Sequence, residues 1–316
     1  MIEKIAVLGS GTMGHGIAEA FAMHGFPVNL YDTDAVRLKA AKEEIAAELQ
    51  LLVAEEYIDA SVAEKALSLI SLQTDLKEAV KDRDYVIEAV PEIIALKQDL
   101  FALLDQLCPS HTILASNTSS LKLADMMEKV SPARRERMLV NHWYNPGHIM
   151  PIVEMSFFGN MPESIYQEVE ALFAAIEKQT VKVLKDVPGL VANRIQQGVA
   201  REVFSIIEQG IAAPEDVDKA LKFGPAFRYA TTGQLEVADF GGLDIWCTVG
   251  DNLLKVMDAS TAANPLLKEK VAEGKLGAKS GEGFFKYPPE TLAEKREVFL
   301  KKLIHQLKAA KYYVDK

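Results

Sequence analysis

Two residues invite a chemical reading before any element is placed. His142 closes the apolar run 138–141, and Glu154 lies in the next strand-like run, 152–155. Imidazole titrates near neutrality, so it can take the proton from a hydroxyl while a hydride leaves the same carbon for an acceptor. A carboxylate accepting from one ring nitrogen would fix the tautomer, aim the other nitrogen at substrate and stabilise the imidazolium. Spacing alone leaves a merely structural histidine open beside this dyad, and His148, in the same loop, is the rival base. His15, His24 and His305 read as ordinary surface or packing residues. Cys108 and Cys247 have no metal-ligand spacing, so no metal is expected, and both read as buried, reduced thiols of a cytosolic protein.

A base needs a hydride acceptor opposite it, and the N-terminal stretch supplies a candidate holder. The run Lys4-Ile5-Ala6-Val7-Leu8 breaks at Gly9-Ser10-Gly11-Thr12-Met13-Gly14 and continues as an amphipathic helix pattern. In a dinucleotide fold the first glycine permits a tight turn, the second lets backbone amides approach a pyrophosphate, and the third lets helix pack on strand. The anion would sit at the positive end of a helix beginning near Thr12. Glycine triplets also occur in plain turns, but here a second strand, 27–31, ends in Asp32. That acid falls near the ~20-residue spacing of the group that takes a ribose 2'-hydroxyl. Asp32 would repel a 2'-phosphate, so NAD is favoured over NADP, with Arg37 the only nearby base to oppose this.

The elements that must position these residues alternate. After a long helical region, 35–70, interrupted near 57–61, come a short strand at 70–72, a short helix at 76–80 and a buried strand at 85–90. A helix at 96–107, a strand at 111–116, a helix at 123–130 and a strand at 138–141 follow. Such alternation predicts an α/β fold, a Rossmann-type doubly wound parallel sheet. Ligands there sit beyond the carboxyl ends of strands, where residues 88–92, 117–120 and His142 fall. A strand at 152–155, a helix at 162–178 and a strand at 180–184 complete this part. The rest is helical: 193–208, 214–223, 244–257 and a charged amphipathic helix at 292–312. The predicted domains are 1–186, a dinucleotide-binding domain with a helical arm at about 36–70, and 187–316, an all-helical C-terminal domain for substrate and dimerisation.

Composition narrows the class. The 316 residues are 49% hydrophobic and 25% charged, ordinary for a globular chain of two domains. A net charge of -10 argues against a nucleic-acid or anionic-membrane partner. The chain enters a core strand within about three residues, which leaves no room for a signal peptide, and no apolar run reaches the ~18 residues of a membrane span. A cytoplasmic location is expected.

Several separated motifs, in order, carry a resemblance. The sequence resembles the L-3-hydroxyacyl-CoA dehydrogenase family over nearly its whole length. The match rests on Gly9-Ser10-Gly11-Thr12-Met13-Gly14, Ala115-Ser116-Asn117-Thr118-Ser119-Ser120-Leu121, and His142-Trp143-Tyr144-Asn145-Pro146 leading to Val153-Glu154. It continues through Pro188-Gly189-Leu190-Val191-Ala192-Asn193-Arg194 and Gly277-Ala278-Lys279-Ser280-Gly281-Glu282-Gly283-Phe284. The resemblance implies His142 as general base, Glu154 as its orienting partner, and Ser119 and Asn193 as groups binding the substrate oxygen. It also implies that Glu92 and Lys97 lie near the nicotinamide ribose and phosphate, with Thr12, Met13, Ala89 and Asn117 among the cofactor contacts. A homodimer through the helical domains, and a place in fatty acid metabolism, follow from the same likeness. Plainer roles are also available: Ser119 or Asn193 as helix caps and Lys97 as an exposed helix charge.

Two departures concern the substrate. Family members that take acyl-CoA use the arm to help bind the CoA phosphates, a task for Lys or Arg. Here every charged residue of 43–64 is acidic. The stretch Phe227-Arg228-Tyr229-Ala230-Thr231-Thr232-Gly233 is instead similar to relatives that oxidise free hydroxy acids, such as gulonate 3-dehydrogenase, of the lambda-crystallin group, and carnitine dehydrogenase. Arg228 is either a clamp for a substrate carboxylate or a surface cation beside Glu236. Gly147 and His148 also suggest an altered pocket. By family weight the leading substrate is a short-chain L-3-hydroxyacyl-CoA such as 3-hydroxybutyryl-CoA. A small free hydroxy acid, gulonate-, carnitine- or aromatic-carboxylate-like, is the rival, and a non-catalytic NAD-binding structural protein is a third reading.

Overall fold

The computed structural model describes residues 2–311, and the chain divides after Val191 into two compact units. The first unit runs β1 (Ile5–Leu8), α1 (Gly14–Met23), β2 (Val28–Tyr31), α2 (Ala35–Ala54), α3 (Ala60–Leu69), β3 (Ile70–Gln73), α4 (Leu76–Val80) and β4 (Tyr85–Glu88). It continues with α5 (Ile94–Leu107), β5 (Ile113–Ser116), α6 (Leu123–Met126), α7 (Pro132–Arg135), β6 (Met138–Trp143), β7 (Ile152–Ser156), α8 (Glu163–Ala175) and β8 (Gln179–Val183).

The eight strands form one sheet in the order β3-β2-β1-β4-β5-β6-β7-β8. All neighbours are parallel except β6 and β7, which pair antiparallel. Strands β1, β4 and β5 are buried at every position because helices cover both faces, which is why they read as unbroken apolar runs rather than alternating ones. The sheet reverses direction of growth between β1 and β4, so their carboxyl ends face the crevice where a dinucleotide binds in such folds. An aromatic cluster fills the face beneath α1 and α8: Phe21 lies 5.5 Å from Trp143 and 6.0 Å from Tyr85, and Phe173 lies 5.5 Å from Trp143.

Three local expectations are corrected. The helix expected at 123–130 closes after one turn, at Met126. The helix after the glycine turn starts at Gly14, not near Thr12. His142 stands inside β6 rather than at its end, so Glu154 faces it across the antiparallel pair.

The second unit comprises α9 (Ala192–Glu208), α10 (Pro214–Phe223), α11 (Pro225–Gly241), α12 (Leu243–Leu253), α13 (Pro265–Ala272) and α14 (Pro289–Ala310). Helices α11 and α13 were not foreseen. Proline at the first turn starts α10, α11, α13 and α14, where its missing N–H costs nothing. Gly233, at φ 69°, breaks α11 internally. The expected end of the last helix, Tyr312, lies outside the described residues. Cys108 is buried, whereas Cys247, expected to be buried, is exposed on α12. Among the described residues no helix is long and apolar enough to cross a membrane.

Candidate active site

The glycine turn is built by backbone crowding on one side and open space on the other. Gly9 leaves β1 at φ 96°, and a β-carbon there would lie 2.8 Å from the Ala89 carbonyl oxygen. At Gly14 a β-carbon would lie 1.7 Å from the Gly9 carbonyl oxygen, so helix and turn could not both persist. Gly11 differs: its β-carbon would meet nothing within 4 Å. The chain's own packing does not require glycine there, whereas close approach of a pyrophosphate would. No side chain caps the N-terminus of α1, so its positive end is not shielded from an anion by a capping oxygen.

Asp32 follows β2 and is buried, with Oδ2 accepting from the amide and hydroxyl of Ser10, each at 2.9 Å, and Oδ1 accepting from the Asp34 amide at 3.1 Å. Burial pushes its carboxyl up, but these hydrogen bonds and the Arg37 charge outweigh that and hold it below its ordinary value. It is therefore anionic and aimed at the turn. These features fit a dinucleotide, whose adenosine ribose Asp32 would hold and whose phosphates would lie over Gly11. Asp34 accepts from Val36 and Arg37 amides and so caps α2.

Glu88 ends β4 fully buried, and Lys97, on α5, is 1% exposed with Nζ 2.8 Å from both Glu88 Oε1 and Glu92 Oε2. The reading of Lys97 as an exposed helix charge is thus corrected. Ser116 donates its hydroxyl to Glu88, and Thr118 and Ser120 donate theirs to Glu92. Burial raises the Glu92 carboxyl, but Lys97 and these hydroxyls prevail and bring it down to about 2. The Ala89 amide donates to Leu8, extending the β1–β4 ladder. Asn117 Oδ1 accepts from the Trp143 amide at 2.8 Å, tying the end of β5 to the residue after His142. Ser119 does not cap the following turn; Thr118 does, accepting from the amides of Ser120 and Leu121.

The antiparallel register sets His142 directly opposite Glu154. Nδ1 lies 2.8 Å from Glu154 Oε2; since a carboxylate only accepts, Nδ1 carries the hydrogen and Nε2 is left with its lone pair. Glu154 is fully buried and its Oε1 also accepts from the Val191 amide at 2.8 Å. Tyr144 packs edge-on to the imidazole with ring centroids 5.0 Å apart, and burial followed by the Glu154 charge pushes its phenol up to about 12.

His148 goes elsewhere. Its buried ring faces Glu19 and Glu48, and burial pulls its imidazole down to about 4, a poor match for taking a proton from an alcohol near neutrality. Asn193 is a first-turn residue of α9, past the cap position foreseen for it, and Arg228 is an exposed residue of α11. Reading along the sequence missed Ser10, Ser116, Thr118 and Val191, which act by holding Asp32, Glu88, Glu92 and Glu154. Only Thr118, in a run of hydroxyls beyond a strand end, gave a local signal.

Family models for the 3-hydroxyacyl-CoA dehydrogenase NAD binding domain and C-terminal domain match residues 4–187 and 189–287. The 5-formyl-3-hydroxy-2-methylpyridine 4-carboxylate 5-dehydrogenase of Mesorhizobium japonicum is 34% identical over 92% of this chain and 92% of its own. A crystal structure of a dehydrogenase of that name, described as an NAD+ dependent dismutase, matches with TM-score 0.89 at 32% identity, covering 98% of this chain and 99% of that one. A probable 3-hydroxybutyryl-CoA dehydrogenase of Bacillus subtilis is 34% identical over 92% of this chain and 99% of its own.

Proposed function

The chain belongs to the 3-hydroxyacyl-CoA dehydrogenase family and is an NAD-dependent oxidoreductase of that type; from that premise we propose that it acts on a small free carboxylate bearing a hydroxyl or carbonyl group, without CoA. The observation that carries the substrate class is the arm. Glu43, Glu44, Glu56, Asp59 and Glu64 are exposed on or beside α2 and α3, and 43–64 holds no Lys or Arg. Such a surface repels the phosphates of CoA, whereas a small acid does not reach along the arm. The likeness to a pyridine carboxylate dehydrogenase supports an aromatic or heteroaromatic acid.

In this reading NAD supplies the hydride acceptor, held by Gly9, Gly11, Thr12, Met13, Gly14, Asp32, Ala89, Glu92, Lys97 and Asn117. His142 Nε2 takes the hydroxyl proton as the carbonyl forms, and Glu154 steadies the imidazolium across the 2.8 Å hydrogen bond. Within the first unit Ser119 is the group that would hold the substrate oxygen; Asn193 and Arg228, in the second unit, are the polar residues that the sequence offers for the substrate oxygen and for a carboxylate. The chain works as a homodimer joined through its second unit.

A second reading, oxidation of a short-chain L-3-hydroxyacyl-CoA, has the family models and the Bacillus subtilis relative in its favour. One assay separates them. NADH formation is followed with 3-hydroxybutyryl-CoA and with a panel of free hydroxy acids and of hydroxymethyl- and formyl-substituted aromatic carboxylates. Turnover of a free acid with none of the thioester is expected; the converse removes the first reading.

A further inference from the structure

A second cluster of buried ionisable groups, which the proposed chemistry does not use, gathers from α1, α2 and the loop between β6 and β7. Glu19 of α1 is fully buried and neither of its carboxylate oxygens accepts from an N–H or hydroxyl donor among the described residues; its one polar neighbour is the Glu48 carboxylate, and burial, then that charge, push its carboxyl well above the ordinary value. Glu48 Oε2, from α2, and Nδ1 of the buried His148, from the loop between β6 and β7, likewise accept from no such donor. These orphaned atoms converge. His148 Nδ1 lies 3.6 Å from Glu19 Oε2 and 3.5 Å from Glu48 Oε2, and one ligand atom from each residue lies within 4.8 Å of the others.

Separations of 3.5–3.6 Å are too long for hydrogen bonds. They suit the edges of a coordination polyhedron, since ligands about 2.0–2.1 Å from a tetrahedral ion stand about 3.3 Å apart. We propose that Glu19, Glu48 and His148 form a binding site for one divalent first-row transition ion, with Zn2+ the best match. Two carboxylates balance the charge of a dication, and an imidazole nitrogen selects against Mg2+ and Ca2+. Solvent would complete the coordination from the Glu48 side, the only one of the three side chains that is substantially open, at 20% exposure.

The surroundings hold the three ligands in place. A β-carbon on Gly16 would lie 3.2 Å from the Gly147 amide nitrogen, so α1 and the His148 loop touch backbone to backbone. Lys178 donates to the carbonyls of Gly147 and Met150, at 2.8 and 2.7 Å, and fixes that loop. Outside the ligands, His15 Nε2 lies 3.4 Å from Glu48 Oε1, and its Nδ1 donates to the Gly11 carbonyl at 2.9 Å. His15, fixed by that bond, stands at ion-pair distance from the Glu48 carboxylate and links the site to the cofactor turn. Lys178 and His15 bring positive charge, so micromolar affinity is expected. The ion would staple α1, α2 and the loop after β6 together, which is independent of the substrate class proposed above.

The test uses the full chain, treated with EDTA, in a Cys247→Ser background that removes the exposed thiol. Titration with Zn2+ by calorimetry and with Co2+ by its visible d–d bands is expected to give one ion per chain, and Zn2+ is expected to raise Tm. Glu19→Gln and His148→Ala should each weaken binding by roughly 100-fold or more, and Glu64→Gln on the same arm should leave it unchanged. If Glu19→Gln fails to fold, Glu48→Gln and His148→Ala decide. No stoichiometric binding, the signature of Glu19 and Glu48 merely sharing a proton, overturns the proposal. So does binding that Glu48→Gln and His148→Ala leave intact.

Discussion

At the scale of single residues, the proposed chemistry rests on one hydrogen bond and on what it leaves over. Because Glu154 accepts from Nδ1 of His142, the ring presents Nε2 as a base without needing any change of tautomer. His142→Gln is expected to lower kcat by roughly 100-fold or more while the Kd for NAD stays within a few fold, read by steady-state turnover and calorimetry. Wild-type turnover in that variant would remove the histidine from its role. Glu92 carries a pH dependence. Its carboxyl falls from 4.5 to about 2 in the folded chain, so the native state binds the proton less well than the unfolded chain does. Its contribution to stability is complete above about 4.5 and is lost as pH falls toward about 2. Urea midpoints measured between those limits should fall more steeply for wild type than for Glu92→Gln, and parallel curves would contradict this assignment.

Elements decide which of these residues tolerate change. The glycine turn predicts a split between two substitutions of the same kind. Gly14→Ala drives a β-carbon into the Gly9 carbonyl and should destabilise by about 3 kcal/mol or more. Gly11→Ala meets no protein atom within 4 Å, so stability should hold within about 0.5 kcal/mol. NAD affinity should nevertheless fall roughly tenfold or more. Equal stability losses would mean that Gly11 serves the fold and not a ligand. A second element-scale test concerns the link from α5 to β4. Lys97→Met leaves the Glu88 carboxylate buried without its cation, which is expected to cost about 3–5 kcal/mol in denaturant unfolding, with near-normal stability counting against the buried pair.

At the scale of the whole molecule, the second unit exposes apolar side chains on a scale that an isolated chain does not bury: Phe223, Leu235 at 83%, Phe240 at 84%, Leu243, Ile245 and Leu254. Exposed apolar surface of this kind marks association. For the proposed dimer, wild type is expected to sediment as a dimer and a Leu235→Glu, Phe240→Glu double variant as a monomer; an unchanged sedimentation coefficient would place the interface elsewhere. Along the first unit, nearly every strand was legible because parallel strands covered on both faces keep continuous apolar runs. Short turns such as α6, and α11 with its break at Gly233, were not, because their periodicity is too brief or interrupted. In the sequence the acidic residues of 43–64 are indistinguishable from one another, yet Glu48 turns inward to His15 and His148. Only the packing of α2 on α1 could show that.

The sequence by itself determined the alternation of elements, the glycine turn with its acid at Asp32, and the residue types at the strand ends. These are local consequences of backbone freedom, periodicity and capping, and they need no distant partner. The tertiary structure decided the rest. The antiparallel turn of β7 brought Glu154 across from His142, burial between two carboxylates fixed Lys97, and the close approach of Gly16 to Gly147 sent His148 away from the proposed base and toward Glu19 and Glu48. Each depends on register and on which faces pack, and those are set by contacts between residues far apart in the chain.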